Sequence, residues 1–137
     1  MNILQVLPEF NVGGVETGTL DMARWLIRHG HKAVVVSGGG RLVKQFEEAG
    51  GRHYQIGIGR KSPLSIIPSI RALKEIIIKE DIDIVHARSR IPAIVAYFAA
   101  RSANRMFITT AHGYYKKHLF SGVMGWGRFV IVASNVM

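Results

Sequence analysis

The stretch NILQVLPEFNVGGVETGTLDMARWLIRHG (residues 2–30) contains an apolar run, a loop with paired glycines and an amphipathic segment. The run Asn2–Leu7 predicts a strand, and Pro8–Val15 predicts a loop. Glu16–His29 predicts a helix, because its apolar residues recur at helical spacing and Gly30 supplies a left-handed cap. A strand, a short loop and a helix in this order form the opening unit of a parallel α/β sheet.

The same unit repeats along the rest of the chain. We expect further strands at Lys32–Ser37, Arg52–Ile56, Ile82–His86, Met106–Thr110 and Arg128–Ala133. We expect further helices at Arg41–Ala49, Ser65–Lys79 (with Ser65 as its cap) and Pro92–Ser102, and a broken helix or irregular chain over Ala111–Gly127. The prediction is a Rossmann-like parallel sheet with helices on both faces. Ligands of such sheets bind beyond the carboxyl ends of the strands.

Length and composition limit the class of protein. The 137 residues suit one domain, and the 48% hydrophobic content suits a packed core. The absence of cysteine excludes disulfides and thiolate chemistry. No apolar run reaches the 18 or so residues of a membrane-spanning helix, and residues 1–5 lack the basic start of a secretory signal. We therefore expect a cytoplasmic protein.

Charge is distributed unevenly along the chain. All nine acidic residues lie at or before Asp83, whereas residues 84–137 carry seven basic residues and no acidic one. An anionic partner for that half is one interpretation. The other is a missing acidic segment further along a longer chain. Lysines 116 and 117 follow two tyrosines, but no recognisable nucleic-acid module surrounds them, so we expect no nucleic acid.

The same basic half also contains a candidate membrane surface. Lys116, Lys117 and Arg128 flank Tyr114, Tyr115, Leu119, Phe120, Val123, Met124 and Trp126. Cations beside apolar bulk suit an anionic membrane interface. The alternative is that these apolar residues pack beneath a further part of the domain.

The paired glycines follow the first predicted strand and open a helix. Gly13 and Gly14 would let backbone N–H groups approach a phosphate, or they form a plain tight turn. The second strand ends at Ser37 rather than at an acidic residue, so the ribose clamp of NAD is missing. Arg41 keeps an NADP-dependent reductase open as an alternative.

Two further segments leave predicted strands at the ligand edge. His86, Arg88 and Arg90 follow strand four, and paired guanidinium donors there can bind a phosphate or a carboxylate. His112 and Gly113 follow strand five, where a histidine can donate to a sugar hydroxyl or a phosphate. The alternatives are a solvated loop and a structural histidine.

Taken together, these motifs resemble a known family. The segments are Val6-Leu7-Pro8, Gly13-Gly14-Val15-Glu16, Leu26–His31, Asp83-Ile84-Val85-His86, Thr110-Ala111-His112-Gly113 and Val130-Ile131-Val132-Ala133-Ser134. In this order they resemble the amino-terminal domain of family 4, the retaining glycosyltransferases of the two-domain GT-B fold. The similarity spans nearly the whole chain, and bacterial lipopolysaccharide and surface-glycan transferases are the members it most resembles.

The resemblance implies a role for each motif. Gly13 and Gly14 would lie close to the donor phosphates, and His112 would contact the transferred sugar as the catalytic residue. The acceptor side would be formed by Glu16, His86, Arg88, Arg90 and Gly113. The implied substrates are a nucleotide sugar and a glycan or lipid-linked acceptor.

The resemblance also implies a mechanism and a missing part. Transfer with retention would proceed on one face of the donor, assisted by its leaving phosphate, with no metal, cofactor or protein nucleophile. Residues 1–137 correspond to a truncated acceptor-binding domain, so we expect the isolated chain to be inactive. A separate chain would then supply the carboxyl-terminal donor domain. A standalone anion-binding or membrane-binding module remains the alternative.

Overall fold

The structure is a computed structural model, and it describes residues 1–58, 63–112 and 129–133. Its strands are β1 (Asn2–Val6), β2 (Lys32–Ser37), β3 (Arg52–Gln55), β4 (Ile84–Ala87), β5 (Met106–His112) and β6 (Phe129–Ala133). Its helices are α1 (Gly14–Arg28), α2 (Val43–Glu48), α3 (Pro63–Lys79) and α4 (Arg90–Ser102). The six strands form one parallel sheet in the order β3-β2-β1-β4-β5-β6.

Helices cover both faces of this sheet, as the sequence predicts. Alternate residues of β1 and β2 point to opposite faces because side chains alternate along a strand. Leu4, Val6 and Val34 pack with residues of α3 and α4, while Ile3 and Val35 pack with residues of α1 and α2. The Rossmann-like fold class is therefore confirmed.

All four described helices end in the same type of cap. The left-handed residues are Gly30, Gly50, Asp81 and Asn104, with φ of 79°, 102°, 49° and 55°. In each case the next residue donates its N–H to a carbonyl five residues back, at 2.8–3.0 Å. These pairings are the Schellman motif, which satisfies carbonyls left open at a helix end.

Most predicted element boundaries differ from the structure by one or two residues, and helices α1 and α4 each begin two residues earlier than predicted. Three of the differences have a visible cause or consequence. The predicted strand Ile82–His86 is β4 at Ile84–Ala87, because Ile82 donates to the carbonyl of Ile77 and so belongs to the cap of α3. Helix α3 begins at Pro63 rather than after a Ser65 cap, which places Pro68 in its second turn. The predicted Met106–Thr110 strand extends to His112, because β5 pairs with β6 through that residue.

The interval Ala111–Gly127, for which a broken helix or irregular chain was predicted, overlaps β5 at its first two residues. Its remainder lies outside the described residues. Within the part of the chain that the structure describes, no helix is long and apolar enough to cross a membrane.

Candidate ligand-binding site

The paired glycines lie where α1 begins, at the carboxyl edge of the sheet. Gly13 is extended, and its carbonyl accepts the N–H of Thr17 at 2.8 Å. No side chain caps this helix end by hydrogen bonding. A Cβ added at Gly14 would meet no atom within 4 Å, so open space lies beside its backbone. The first N–H groups of this 15-residue helix thus have no side-chain cap, and the space beside Gly14 leaves room for a phosphate or hydroxyl group to approach them.

Glu16 extends back over the other glycine. A Cβ at Gly13 would lie 2.5 Å from the Oε2 atom of Glu16, so the carboxylate occupies the space that a side chain would need. A carboxylate repels a phosphate but accepts hydrogen bonds from hydroxyl groups. The two glycines therefore offer different chemistry: an open helix N-terminus at Gly14 and an acidic acceptor beside Gly13.

Backbone hydrogen bonds hold the loop that leads to these glycines. The N–H of Phe10 donates to Gly39, and that of Gly38 donates to Pro8, at 3.0 and 2.7 Å. The side-chain oxygen of Asn11 accepts the N–H of Arg41 at 2.9 Å. The β1–α1 and β2–α2 loops are thus hydrogen-bonded to each other at the carboxyl edge of the sheet. Arg41, which would bind NADP in the alternative interpretation, contributes its backbone to this edge.

Arg88 lies beside α1, immediately after β4. Its backbone N–H donates to Val6 at 3.1 Å, and its Nη1 donates to the Oε1 atom of Gln5 at 3.1 Å. Its Nη2 atom lies against Gly18, where a Cβ would be 3.3 Å away. Gly18 is about one turn along α1 from Gly14. The structure therefore brings the guanidinium close to the helix that the paired glycines open.

The guanidinium is only partly satisfied by the protein. Its Nε atom is buried without a hydrogen-bond partner, and burial lowers the pKa of Arg88. Among the described residues, no carboxylate lies within ion-pair distance of it. A half-buried cation without an acidic partner favours an anionic ligand.

His86 lies inside β4, not in the loop after it. It is 3% exposed, and its Nε2 atom is 2.6 Å from the hydroxyl of Thr110 on β5. The register places His86 beside Gln5 on β1, and its contact with Thr110 extends this group of buried polar side chains to β5. These side chains lie within the sheet, directly before the edge at which Arg88 follows β4.

The remaining predicted site residues are less completely described. Arg90 is half-buried as the first residue of α4, after the N-cap Ser89. His112 is the last residue of β5 and pairs with Ala133. Gly113 lies outside the described residues.

Sequence reasoning missed Gln5, Gly18 and Thr19 as parts of the site. Gln5 is 1% exposed, and its Nε2 donates to the carbonyl of Thr19 at 3.4 Å. The available signal in the sequence was a glutamine between apolar residues of the first strand.

Within the described chain, no three potential metal ligands cluster. A cavity of about 470 Å³ lies at the opposite, amino end of β5, lined by residues that include Tyr97, Arg101 and Phe107.

Comparison with known proteins identifies the family. Residues 12–135 match the model of Glycosyltransferase Family 4, and the chain belongs to this family. A glycosyltransferase from Rickettsia africae ESF-5 shares 37% identity with a TM-score of 0.85, over 98% of this chain and 37% of that protein. The present chain therefore spans little more than a third of that relative. A search of curated protein sequences gives no match.

Two more distant structures share the fold. The lipopolysaccharide outer core galactosyltransferase WaaB is 14% identical with a TM-score of 0.68, over 95% of this chain and 38% of WaaB. Anabaena HepE in complex with UDP-glucose is 19% identical with a TM-score of 0.59, over 82% of this chain and 29% of HepE. These similarities establish the amino-terminal half of a GT-B fold.

Proposed function

We propose that the chain is the amino-terminal portion of a retaining glycosyltransferase that moves a sugar from a nucleotide sugar to a glycan or lipid-linked acceptor. One observation carries the proposal: Arg88, half-buried and without a described acidic partner, lies beside the helix whose open end is Gly14. This combination offers uncapped N–H groups to a donor phosphate and a nearby cation to an anionic group of the acceptor, both at the carboxyl edge of the sheet. HepE, a structural neighbour, has been solved with UDP-glucose.

The proposed roles are those that the family resemblance implies. Gly13 and Gly14 would approach the donor phosphates, and Glu16 would accept hydrogen bonds from acceptor hydroxyls. Arg88 and Arg90 would bind an anionic group of the acceptor, and His86 would hold the edge beneath them. His112 would contact the transferred sugar, and Gly113 would contribute to acceptor binding. Transfer would need no metal or further cofactor, as the family resemblance implies.

Bacterial cell-envelope glycan synthesis is the proposed setting. WaaB, which shares the fold, acts on the outer core of lipopolysaccharide. The donor domain of the family lies beyond the amino-terminal half, so we propose that catalysis requires a carboxyl-terminal domain, supplied by a longer or a separate chain.

Turnover measurements test these roles. The isolated chain should transfer no sugar from any nucleotide sugar, and measurable transfer by the pure chain would overturn the division of roles between the two domains.

In an enzyme completed with a donor domain, Gly14→Val should abolish activity without unfolding the protein, because the open space beside Gly14 would be filled. His112→Ala should lower kcat more than it weakens acceptor binding. Arg28→Gln, at the far end of α1, is the matched control for Arg88→Gln, which should weaken acceptor binding.

We further propose that the completed protein works at an anionic membrane surface on the cytoplasmic side. Lys116 and Lys117, on which the sequence argument depends, lie outside the described residues. Among the described ones, Leu64 and Ile67 at the start of α3 are 89% and 64% exposed. The surrounding residues 57–74 include four basic residues and no acidic one. Exposed apolar side chains among cations suit an anionic lipid surface.

Vesicle sedimentation tests the membrane proposal. The chain should sediment with vesicles that contain phosphatidylglycerol, and less so as salt rises, because exposed charges are screened over about 8 Å at physiological ionic strength. Replacing both Lys116 and Lys117 by Glu, or both Leu64 and Ile67 by Ser, should release it. Equal binding to neutral and anionic vesicles would contradict the proposal.

A further inference from the structure

Gln5 is an unusual residue for its position in the sheet. It is 1% exposed, and its strand neighbours Leu4 and Val6 are fully buried. Burying a side-chain amide is costly unless its donors and acceptors find partners. Both ends of this amide have one: Nε2 donates to the carbonyl of Thr19, and Oε1 accepts from Nη1 of Arg88.

Two elements, β1 and α1, together hold Arg88 at the edge of the sheet. Gln5 of β1 accepts one of its N–H groups at 3.1 Å. Gly18 of α1 leaves room for its other terminal nitrogen, and the carbonyl of Val6 accepts its backbone N–H. Because arginine offers only donors, the oxygen of the amide must face it. The donation from Nε2 to α1 fixes the amide in that orientation.

We propose that Gln5 is a positioning residue for Arg88: it orients the guanidinium through a neutral acceptor and so keeps its positive charge available to an anionic ligand. This inference rests on the proposed function. A glutamate at position 5 would keep an oxygen facing the guanidinium, but it would form an ion pair with it and lose the donation to the Thr19 carbonyl. An anion would then have to compete with a carboxylate already in place.

Sulfate is a suitable probe, because it stays a dianion near neutral pH and carries no base or sugar. Titration is followed by the Nε–H resonance of Arg88 in ¹⁵N NMR spectra, with thermal unfolding measured in parallel. We expect Gln5→Glu to fold, with some loss of stability from the missing donation to Thr19, and to bind sulfate at least about tenfold more weakly, since hydrogen bonds to charged groups carry differences of this size. Gln5→Met removes the acceptor without adding a charge, and we expect a smaller loss of about threefold.

Which of the two variants binds sulfate more weakly distinguishes a positioning role of Gln5 from a purely structural one. A structural role would make the methionine variant the worse one, because it loses both hydrogen bonds of the amide, whereas the glutamate variant keeps the one from Arg88. Gln45→Glu is the matched control: Gln45 accepts from Arg24 at 3.5 Å on an exposed surface, and sulfate affinity should stay within about twofold.

If both Gln5 variants bind sulfate within twofold of the wild-type affinity while Arg88→Gln loses binding, the positioning role of Gln5 is overturned and the proposed anion site stands. If Arg88→Gln itself leaves sulfate affinity unchanged, the anion site of the proposed function fails and the positioning role fails with it. If Gln5→Glu does not fold, Gln5→Met decides: weaker sulfate binding at an unchanged thermal unfolding temperature supports the role, and unchanged binding overturns it.

Discussion

Glu80 is a buried carboxylate whose removal should change the pH dependence of stability. It follows α3, is 1% exposed, and accepts hydrogen bonds from Arg52 at 2.6 Å and from Tyr54. The Nζ of Lys32 lies 3.0 Å from its other oxygen. These contacts join the end of α3 to the amino ends of β2 and β3, at the edge opposite the candidate site.

The environment of Glu80 sets the size of the effect. Burial by itself raises the pKa of this carboxyl, but the hydrogen bonds from Tyr54, Arg52 and Lys32 outweigh burial and lower the pKa from 4.5 to about 2. A difference of this size corresponds to about 3 kcal/mol of stabilisation at neutral pH. Because the folded-state pKa is the lower one, this stabilisation is complete well above pH 4.5 and is lost as the pH falls towards 2. Somewhat less than half of it should be gone at pH 3.5.

Urea unfolding of wild type and Glu80→Gln at pH 7, 5, 4 and 3.5 measures this contribution. At pH 7 the variant should be less stable by about 2–3 kcal/mol, and the difference should shrink as the pH falls. Glu75→Gln removes a charge from the exposed side of α3 and should change stability by less than about 0.5 kcal/mol. Unfolding free energies of wild type and Glu80→Gln that stay parallel from pH 7 to pH 3.5 would refute the reasoning.

Three further predictions concern the carboxyl edge of the sheet. Gly40→Ala places a Cβ 2.4 Å from the carbonyl oxygen of Phe10 at a φ of 154°, so thermal unfolding should show a loss of stability of about 1–3 kcal/mol. Gly57→Ala is the control and should cost little stability, because no atom lies within 4 Å of the added Cβ. Thr110→Val removes the hydroxyl that lies 2.6 Å from Nε2 of the buried His86, and urea unfolding should show a loss of about 1–3 kcal/mol that Thr110→Ser largely avoids. Burial lowers the pKa of His53 below 6.5, so wild-type stability should fall as the pH falls through 6.5, and His53→Gln should lack that component of the curve.

The candidate site was predicted in its backbone features more fully than in its side-chain contacts. The position of Gly13 and Gly14 at the start of a helix is a local property, and the structure confirms it. The placement of Arg88 beside that helix depends on β4 lying next to β1, a pairing between segments about 80 residues apart. No local pattern reveals which strands are neighbours, so the contact between Arg88 and Gln5 could not be predicted.

The sequence by itself determined the order of strands and helices and the parallel α/β class, because apolar spacing and glycine caps act within a few residues of the chain. It identified Gly30 as a helix end but missed Asp81 and Asn104, whose left-handed conformation is uncommon for residues other than glycine. Only the tertiary structure decided the start of β4, the contacts of Glu80 and the pairing of Gln5 with Arg88. These features depend on groups that lie far apart in the chain. Burial makes the contacts energetically important, because a polar group that is removed from water must find a hydrogen-bond partner within the fold.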